Sequence, residues 1–426
     1  MIIDFTVSNF RSIRERQTFS LYADSTSSRL KNNVAFFEHE NLGILRTAGV
    51  YGANASGKSN LLIAFWALRY LACFSGELKD GDPIPCYEPF KLSEDTNNAQ
   101  IDFEIEFFSK DKIRFLYSIS FNANKIISES LDFYPSRIKA NLFKLEKDQS
   151  WEDISFGSHY KGGKKKYAFF SNNSYLSKAG NSADSPEIIR SIFNYFRKDI
   201  FHLGTNEKVG MLDWKDDNTL VDSISAILRK VDTGITSVKF REKKISKINL
   251  PKEIPENLRK KILENESKKP FFLHKGADGY VEEFGEDMES SGTIKLFNML
   301  PMLIEAFKDG GVLVIDELDN SFHPHIAELI IKLFNDESLN QHNAQLIFST
   351  HNLNLMSSSL LRKDQIWLTE KTNGETLFYS LYDFDRSVVK TDSPFAEWYS
   401  DGRFGAIPEI DIAEISNIIK KRLSDA

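Results

Sequence analysis

The sequence has little cysteine, no excess of positive charge and no long hydrophobic run. Its 426 residues include only Cys73 and Cys86, which excludes a disulfide scaffold or a four-cysteine zinc site and favours a reducing, cytoplasmic compartment. Lysine and arginine number 54 against 61 acidic residues, and this balance excludes a protein that coats nucleic acid by bulk charge. No stretch reaches about 18 apolar residues without charge, so we expect no membrane span. The acidic start MIIDFTV is unlike a signal peptide.

Enough apolar material is present to build large cores, since 41% of the residues are hydrophobic and 34 are phenylalanine. Short apolar strands alternate with helical segments, which predicts an α/β fold with a mixed sheet. Two alternating runs at 101–108 and 113–121 predict an antiparallel hairpin. The polar, charge-rich middle predicts an inserted and largely helical arm. We therefore expect an N-terminal part at 1–134, the insertion at 135–275 and a C-terminal part at 276–426.

The clearest motif is a phosphate-binding loop, because residues 52–59 match G-x-x-x-x-G-K-[ST] in full. An apolar strand precedes it and a helix follows, which favours this motif over an ordinary glycine-rich turn. Lys58 would contact the β- and γ-phosphates of a nucleoside triphosphate, and Ser59 would bind Mg²⁺. Backbone N–H groups of the loop and the helix N-terminus would surround the phosphates. The expected binding residues are Asn54, Ala55, Ser56, Gly57, Lys58, Ser59 and Asn60.

Two carboxylates end a second apolar strand, at Asp316 and Glu317 after VLVI. Asp316 is the candidate ligand of Mg²⁺, and Glu317 the candidate general base that activates a water. The alternative is a strand that ends at the surface with two solvated acids.

A third apolar strand is followed by His351, and parallel strands would bring this histidine to the same sheet edge as the phosphate loop. His351 is the candidate sensor of the γ-phosphate, and a purely structural histidine is the alternative. Residues 289–293 (ESSGT) precede a helix, where Ser290 and Gly292 would cap the helix. A more specific hypothesis is that these two residues form an anion site for the nucleotide of a partner subunit.

Together these motifs resemble the heads of ABC-type ATPases, the group that includes RecF, the structural-maintenance-of-chromosomes heads and the OLD nucleases. VSNFRSI at 7–13 is similar to the opening of such heads, and this similarity places Arg11 near the nucleotide. DELDNSFHP at 316–324 and STHN at 349–352 are similar to the acidic strand with its D-loop and to the switch histidine. Residues 289–293 stand in the place of the LSGGQ signature, and only Ser290 and Gly292 match it. For the Q-loop, Gln100 is the candidate.

The combination, including DGRFGAIPEI at 401–410, resembles most the stand-alone AAA_15/AAA_21 ATPases, among them RloA- and AriA-like proteins. That resemblance implies ATP and Mg²⁺ as cofactors, ATP hydrolysis, and a head-to-head homodimer or higher oligomer with two ATP molecules between the heads. It also implies anti-phage defence, with DNA or a phage protein as trigger and a separately encoded TOPRIM-type nuclease as effector.

Two other functions remain open at this stage. One is a RecF- or SMC-like ATPase that binds DNA in repair or recombination, for which the basic runs Lys161–Lys166 and Lys239–Lys247 would contact phosphates. Such runs are also common as solvated faces. The other is a nucleotide-dependent scaffold without catalysis.

Overall fold

Two large β-sheets form the framework of the molecule. The computed structural model describes residues 1–147, 149–204, 214–231, 233–242, 267–408 and 411–424. Its strands are β1 (Ile2–Ser8), β2 (Gln17–Ser20), β3 (Val34–Phe37), β4 (Leu42–Leu45), β5 (Thr47–Gly52), β6 (Ile101–Phe108), β7 (Arg114–Phe121), β8 (Ile126–Tyr134), β9 (Ala140–Leu145), β10 (Ser155–Phe156), β11 (Ile200–Leu203), β12 (Ile235–Glu242), β13 (Lys268–Lys275), β14 (Val281–Gly285), β15 (Val312–Ile315), β16 (Gln345–Ser349), β17 (Ile366–Thr372) and β18 (Glu375–Ser380).

Helices cover the sheets and connect their strands. They are α1 (Lys58–Cys73), α2 (Tyr175–Gly180), α3 (Glu187–Asn194), α4 (Asn218–Lys230), α5 (Ser291–Asp309), α6 (Pro324–Asn335), α7 (Phe395–Ser400) and α8 (Ile412–Ser424). Within the described ranges, no helix combines the length and the apolar character needed to cross a bilayer.

The first sheet has seven strands in the order β10-β9-β8-β7-β6-β1-β2, and all its pairs are antiparallel. Strands β6 and β7 alternate buried and half-buried residues, β7 along its whole length, because one face packs on the core. The hairpin predicted from 101–108 and 113–121 is confirmed by the pairing of β6 with β7.

The second sheet holds the candidate site, in the strand order β11-β15-β16-β5-β17-β18. Only the β17–β18 pair is antiparallel, and the other pairs are parallel. Every residue of β5, β15 and β16 is buried, as expected for parallel strands covered on both faces. The α/β architecture with a mixed sheet is therefore confirmed. The carboxyl ends of β5, β15 and β16 meet at one edge, where ligands bind in such sheets.

Helix α1 packs between the two sheets. It is buried over most of its circumference, in agreement with its nearly continuous apolar sequence. Phe65 of α1 stacks on Phe5 of β1 with ring centroids 4.1 Å apart. Phe19 of β2 packs on Trp367 of β17 at 4.8 Å. These contacts fix the start of α1, and hence the phosphate loop, relative to both sheets.

The region between residues 135 and 275 contains strands as well as helices, in contrast to the largely helical arm expected from its polar composition. β9 and β10 extend the seven-stranded sheet, and β11 is an edge strand of the second sheet. Edge strands need fewer apolar residues than central strands, so their sequence signal is weak. β12, β13 and β14 form a small sheet on which Phe297 of α5 packs. Residues 243–266, including most of the second basic run, lie outside the described residues.

Candidate nucleotide-binding site

The loop between β5 and α1 has the backbone shape that a phosphate cradle requires. Gly52 and Gly57 adopt φ values of 151° and 111°, and Ala55 adopts 62°. Positive φ values turn successive N–H groups toward one side of the loop. Asn54 and Ala55 are exposed at its tip, whereas Ser56, Gly57 and Lys58 are buried. Ser59 and Asn60 are half-buried in the first turn of α1, whose N–H groups have no partner within the helix.

The hairpin of β17 and β18 packs against this loop and fixes its shape by hydrogen bonds. The Ser56 hydroxyl is 2.6 Å from that of Thr369, and Thr376 Oγ1 donates to the Ser56 carbonyl at 2.8 Å. A Cβ atom on Gly57 would lie 2.1 Å from Thr376 Oγ1, and one on Gly52 would lie 2.4 Å from the Thr369 carbonyl. Both glycines are therefore required by close approach as well as by their backbone angles.

Lys58 lies across the mouth of the loop. Its Nζ donates to the carbonyls of Gly52 and Ala53 at 2.9 and 3.0 Å. Burial lowers the pKa of this lysine to about 8, and the nearby carboxylates of Asp316 and Glu317 oppose that shift. The Lys58 ammonium is thus held rigidly and is poorly solvated, so an added phosphate would interact with it strongly.

Asp316 occupies the end of β15, two strands away from the phosphate loop. It is buried, and its Oδ1 accepts a 2.6 Å hydrogen bond from the Ser349 hydroxyl at the end of β16. Its backbone N–H donates to the Leu203 carbonyl at 3.0 Å. Asp316 and the Ser59 hydroxyl are oxygen donors of the kind Mg²⁺ prefers together with phosphates and water. Among the described residues, no group of three or more His, Cys, Asp or Glu could hold a metal by itself.

Glu317 has an unusual backbone conformation, with φ of 52°. Such a left-handed conformation is uncommon outside glycine, and at functional sites it persists because neighbouring groups fix it. Its N–H donates to Ser349 Oγ at 2.7 Å, and its carbonyl accepts from Lys295 Nζ at 2.6 Å. Its carboxylate accepts from the Asn320 amide at 3.0 Å. The backbone that presents this carboxylate is therefore fixed from both sides.

His351 is exposed directly after β16. Its N–H donates weakly to Asp319 Oδ1 at 3.4 Å, and the Thr350 hydroxyl donates to the same oxygen. Desolvation and the positive charge of Lys58 lower the pKa of His351. A neutral imidazole, which both donates and accepts, is thereby favoured at the edge where β5 and β15 end.

Arg11 reaches the start of α1 from the loop after β1. Its guanidinium donates to Asn60 Oδ1 at 3.3 Å and forms an ion pair with Glu88. The Asn60 amide donates to Ser12 Oγ at 2.6 Å. The structure thus brings Arg11 beside the first turn of α1, next to the phosphate loop, and its contact with a nucleotide stays a prediction.

The C-terminal turn at 401–408 also contacts the loop. The Ala406 carbonyl accepts a 3.1 Å hydrogen bond from the N–H of Ala53. The same carbonyl accepts from the Tyr399 hydroxyl at 2.8 Å, and Ala406 has a φ of 58°. This turn therefore supports the phosphate loop directly.

Ser290 and Gly292 lie on a separate groove in the single chain. Ser290 caps α5, and its hydroxyl accepts from the Thr293 N–H at 3.1 Å. The groove has a volume of about 600 Å³ and is also lined by His323. A Cβ on Gly292 would lie 2.2 Å from the Ser321 carbonyl, so the start of α5 and the segment after Glu317 are in tight contact.

The predicted residues thus form two groups. The phosphate loop, Arg11 and His351 lie around the carboxyl edge of the second sheet with the two acids, whereas Ser290 and Gly292 line the groove beside α6. Gln100 is exposed, and its amide donates to Asp102 at 2.9 Å, so no contact with the loop supports a Q-loop role.

Sequence reasoning missed several residues of the site. Lys295, Ser349, Thr369, Thr376 and Tyr399 all hold catalytic candidates or the phosphate loop in place. A single serine or threonine in a strand leaves no sequence pattern that would identify it as a contact of the phosphate loop or of the acids. Lys295 could have been recognised from the sequence. It lies one turn inside α5, directly before the buried Leu296 and Phe297, and a lysine in such surroundings needs a hydrogen-bond acceptor or an opposite charge.

A protein-family model described as "AAA domain, putative AbiEii toxin, Type IV TA system" (AAA_21) matches residues 48–357. No curated protein matches the chain closely. Among solved structures, an SmcHead bound to the C-winged helix domain of ScpA is 11% identical, with coverage of 89% of this chain and 97% of that chain and a TM-score of 0.45. The SMC head domain from Thermotoga maritima is 11% identical, with coverage of 89% and 98% and a TM-score of 0.38.

RecF with ATPrS is 13% identical, with coverage of 89% of this chain and 98% of that chain and a TM-score of 0.37. At these scores and identities the three structures carry no assignment of individual residues. The family model, in contrast, spans well over half of the chain and includes the phosphate loop, the acidic strand end and His351. The protein is therefore a member of the AAA_21 family of AAA-domain proteins.

Proposed function

We propose that this protein is an ABC-type ATPase that binds ATP with Mg²⁺ and hydrolyses it between two head-to-head copies. The observation that carries this proposal is the position of three charged residues at one carboxyl edge of the parallel sheet. The buried Lys58 follows β5, while Asp316 and Glu317 follow β15, and only β16 lies between these two strands. A triphosphate on the 52–59 loop would lie between the lysine and the acids. Its Mg²⁺ would be bound by Ser59 and Asp316.

Glu317 would act as the general base that orients and activates water for in-line attack on the γ-phosphate. Its fixed backbone supports this role because catalysis depends on precise positioning of such a group. His351 would contact the γ-phosphate. Ser290 and Gly292, which line a groove of their own, would contact the ATP of the second copy.

The test compares wild type with Glu317→Gln, which keeps the shape of the side chain and removes the base. We expect ATP hydrolysis to fall by about 10²- to 10⁴-fold while ATP binding is retained. Glu328→Gln, on the outer helix α6, is the matched control and should hydrolyse ATP as wild type does. Equal, near-zero rates for all three proteins would favour a non-catalytic scaffold.

We further propose a cytoplasmic role as a nucleotide-gated sensor in anti-phage defence, with a separate TOPRIM-type nuclease as effector and DNA or a phage protein as trigger. This step is supported by the resemblance of the motifs and by family membership. Expression with the neighbouring gene, followed by affinity purification with and without ATP, tests it. A co-purifying nuclease whose retention depends on nucleotide supports the proposal, and a gene isolated in a replication operon would count against it.

A RecF- or SMC-like function on DNA is the second candidate. One observation favours it: all four lysines of the Lys161–Lys166 run are exposed. Tight duplex binding that weakens steeply with salt, and is lost when these lysines become glutamine, would support a DNA scaffold.

A further inference from the structure

The helix α8 carries an apolar stripe that the described chain leaves exposed. None of the thirteen residues of this helix is buried. Five large aliphatic side chains of this helix are exposed: Ile412 (73%), Ile415 (49%), Ile418 (63%), Ile419 (55%) and Leu423 (73%). A concentration of exposed apolar side chains on one short element marks an interaction surface rather than ordinary surface composition.

The spacing of these residues defines the face that a partner would cover. At 3.6 residues per turn, Ile412, Ile415, Ile419 and Leu423 fall within about 80° of one another around the helix axis. Ile418 lies at one border of this stripe. Lys421 points to the opposite side, so the helix has one apolar face and a polar face opposite to it.

Two charged residues beside the stripe indicate which kind of partner would fit it. Asp411 precedes the first turn and Arg422 lies in the last turn, eleven positions later. Eleven positions are about three turns, so both charges lie along the same flank of the stripe. The helix dipole favours an acid at the start and a base at the end, but it does not select a flank. This arrangement is complementary to itself when two helices run in opposite directions.

We propose that α8 pairs in antiparallel orientation with α8 of a second copy of this chain. Ile412 then meets Leu423 of the second copy, and Ile415 packs near Ile419 of the second copy. Asp411 lies opposite Arg422 of the second copy, and the two-fold axis repeats this pair. A parallel pairing would instead place the charged flanks of the two copies on opposite sides of the contact, so Asp411 and Arg422 would form no pair.

The surface area that this helix pair would bury indicates how stable the dimer is. A thirteen-residue helix is about 20 Å long, and two such helices bury less than the ~1,200 Å² of a standard stable interface. The pairing is therefore a weak, concentration-dependent dimer that forms without nucleotide. It does not rest on the proposed ATP hydrolysis, but it would raise the effective concentration at which the two heads meet.

The test is sedimentation velocity of the full chain without nucleotide over a range of protein concentrations. We expect wild type to show a monomer–dimer equilibrium. Asp411→Arg and Arg422→Asp should each weaken the dimer by about tenfold or more, because each change creates two like-charge contacts. The double variant restores opposite charges and should restore the dimer. Lys421→Asp, the same change on the polar face of the helix, is the matched control and should dimerise as wild type does.

Ile419→Glu places a charge in the centre of the stripe and should give a monomer at every concentration. Unchanged thermal unfolding of the variants shows that the chain remains folded. A monomeric wild type, a dimer that survives Ile419→Glu, or a double charge variant that stays as weak as the single variants would overturn the proposal. A dimer that forms only with ATP and is lost in Lys58→Ala belongs to the heads and also overturns it.

Discussion

Lys295 Nζ donates a 2.6 Å hydrogen bond to the main-chain carbonyl of Glu317. The same ammonium donates to the Asn320 carbonyl at 3.1 Å and lies 5.0 Å from the ring centre of Phe322. Lys295 belongs to α5, the helix that Ser290 caps, whereas Glu317 is the candidate base. This lysine therefore connects the segment expected to contact one nucleotide with the residue expected to hydrolyse the other.

The first prediction concerns this connection. Lys295→Met removes the donor that holds the Glu317 carbonyl, and we expect ATP hydrolysis to fall by about tenfold to a hundredfold because the carboxylate loses its position. The Kd for ATP should change little, since Lys295 does not contact the phosphate loop. Steady-state hydrolysis and nucleotide titration measure the two effects. Lys308→Met, on the exposed end of the same helix, is the control, and equal loss in both variants would contradict this role.

The second prediction concerns Thr376, whose hydroxyl joins Ser12 and Ser56 beneath the phosphate loop. Thr376→Val keeps the volume and leaves the Ser56 carbonyl without its donor, which costs about 1–3 kcal/mol. We expect a weaker affinity for ATP, with Thr376→Ser close to wild type. Isothermal titration with Mg-ATP measures the affinities. Equal affinities of the Val and Ser variants would show that the hydroxyl has no part in shaping the loop.

The third prediction uses the pKa of Lys58, which burial lowers to about 8 from an ordinary value of 10.5. In the nucleotide-free protein, keeping this lysine charged costs folding free energy below pH 8. Between about pH 8 and pH 10.5 the folded protein releases the proton that the unfolded chain keeps, so this cost disappears as pH rises. Lys58→Met should therefore raise the free energy of unfolding at neutral pH and lose that advantage at alkaline pH.

Urea unfolding without nucleotide, at neutral and at alkaline pH, measures this difference for Lys58→Met. Lys112→Met, an exposed lysine in the β6–β7 turn, is the control and should show no such pH dependence. A stability gain that is the same at both pH values would contradict the assigned cause.

The fourth prediction concerns Tyr51, directly before the phosphate loop. Its hydroxyl is buried and has no hydrogen-bond partner among the described residues. Removing a buried, unpartnered hydroxyl is favourable, so Tyr51→Phe should raise the free energy of unfolding by about 1 kcal/mol or more. The matched control is Tyr117→Phe, because the buried Tyr117 hydroxyl donates to Glu129 at 2.9 Å. That variant should lose stability in the same urea titration, and a loss in both would contradict this interpretation.

Much of the second sheet could be predicted from the sequence because its signals are local. The buried strands β5, β15 and β16 are short and mainly apolar, and each motif begins at or just after the end of its strand. Parallel pairing then brings their ends together without further information. The hairpin of β6 and β7 had an equally local signal in its alternation.

What could not be predicted depends on contacts between distant parts of the chain. Thr376 meets Ser56 across 320 positions, and Ala406 meets Ala53 across a similar span. No spacing rule connects such residues. The strands β10 and β11 lie at sheet edges, where half-exposed residues weaken the apolar pattern. The domain boundaries at 134/135 and 275/276 stay predictions.

The central claim is that a nucleoside triphosphate binds on the loop of residues 52–59. The most direct measurement is a titration of the nucleotide-free protein with a fluorescent ATP analogue in the presence of Mg²⁺. The account predicts saturable binding by wild type and an affinity at least about tenfold weaker for Lys58→Ala, because the ammonium group that would contact the β- and γ-phosphates is removed. No affinity of wild type for any nucleoside triphosphate, or equal binding by Lys58→Ala, would contradict it.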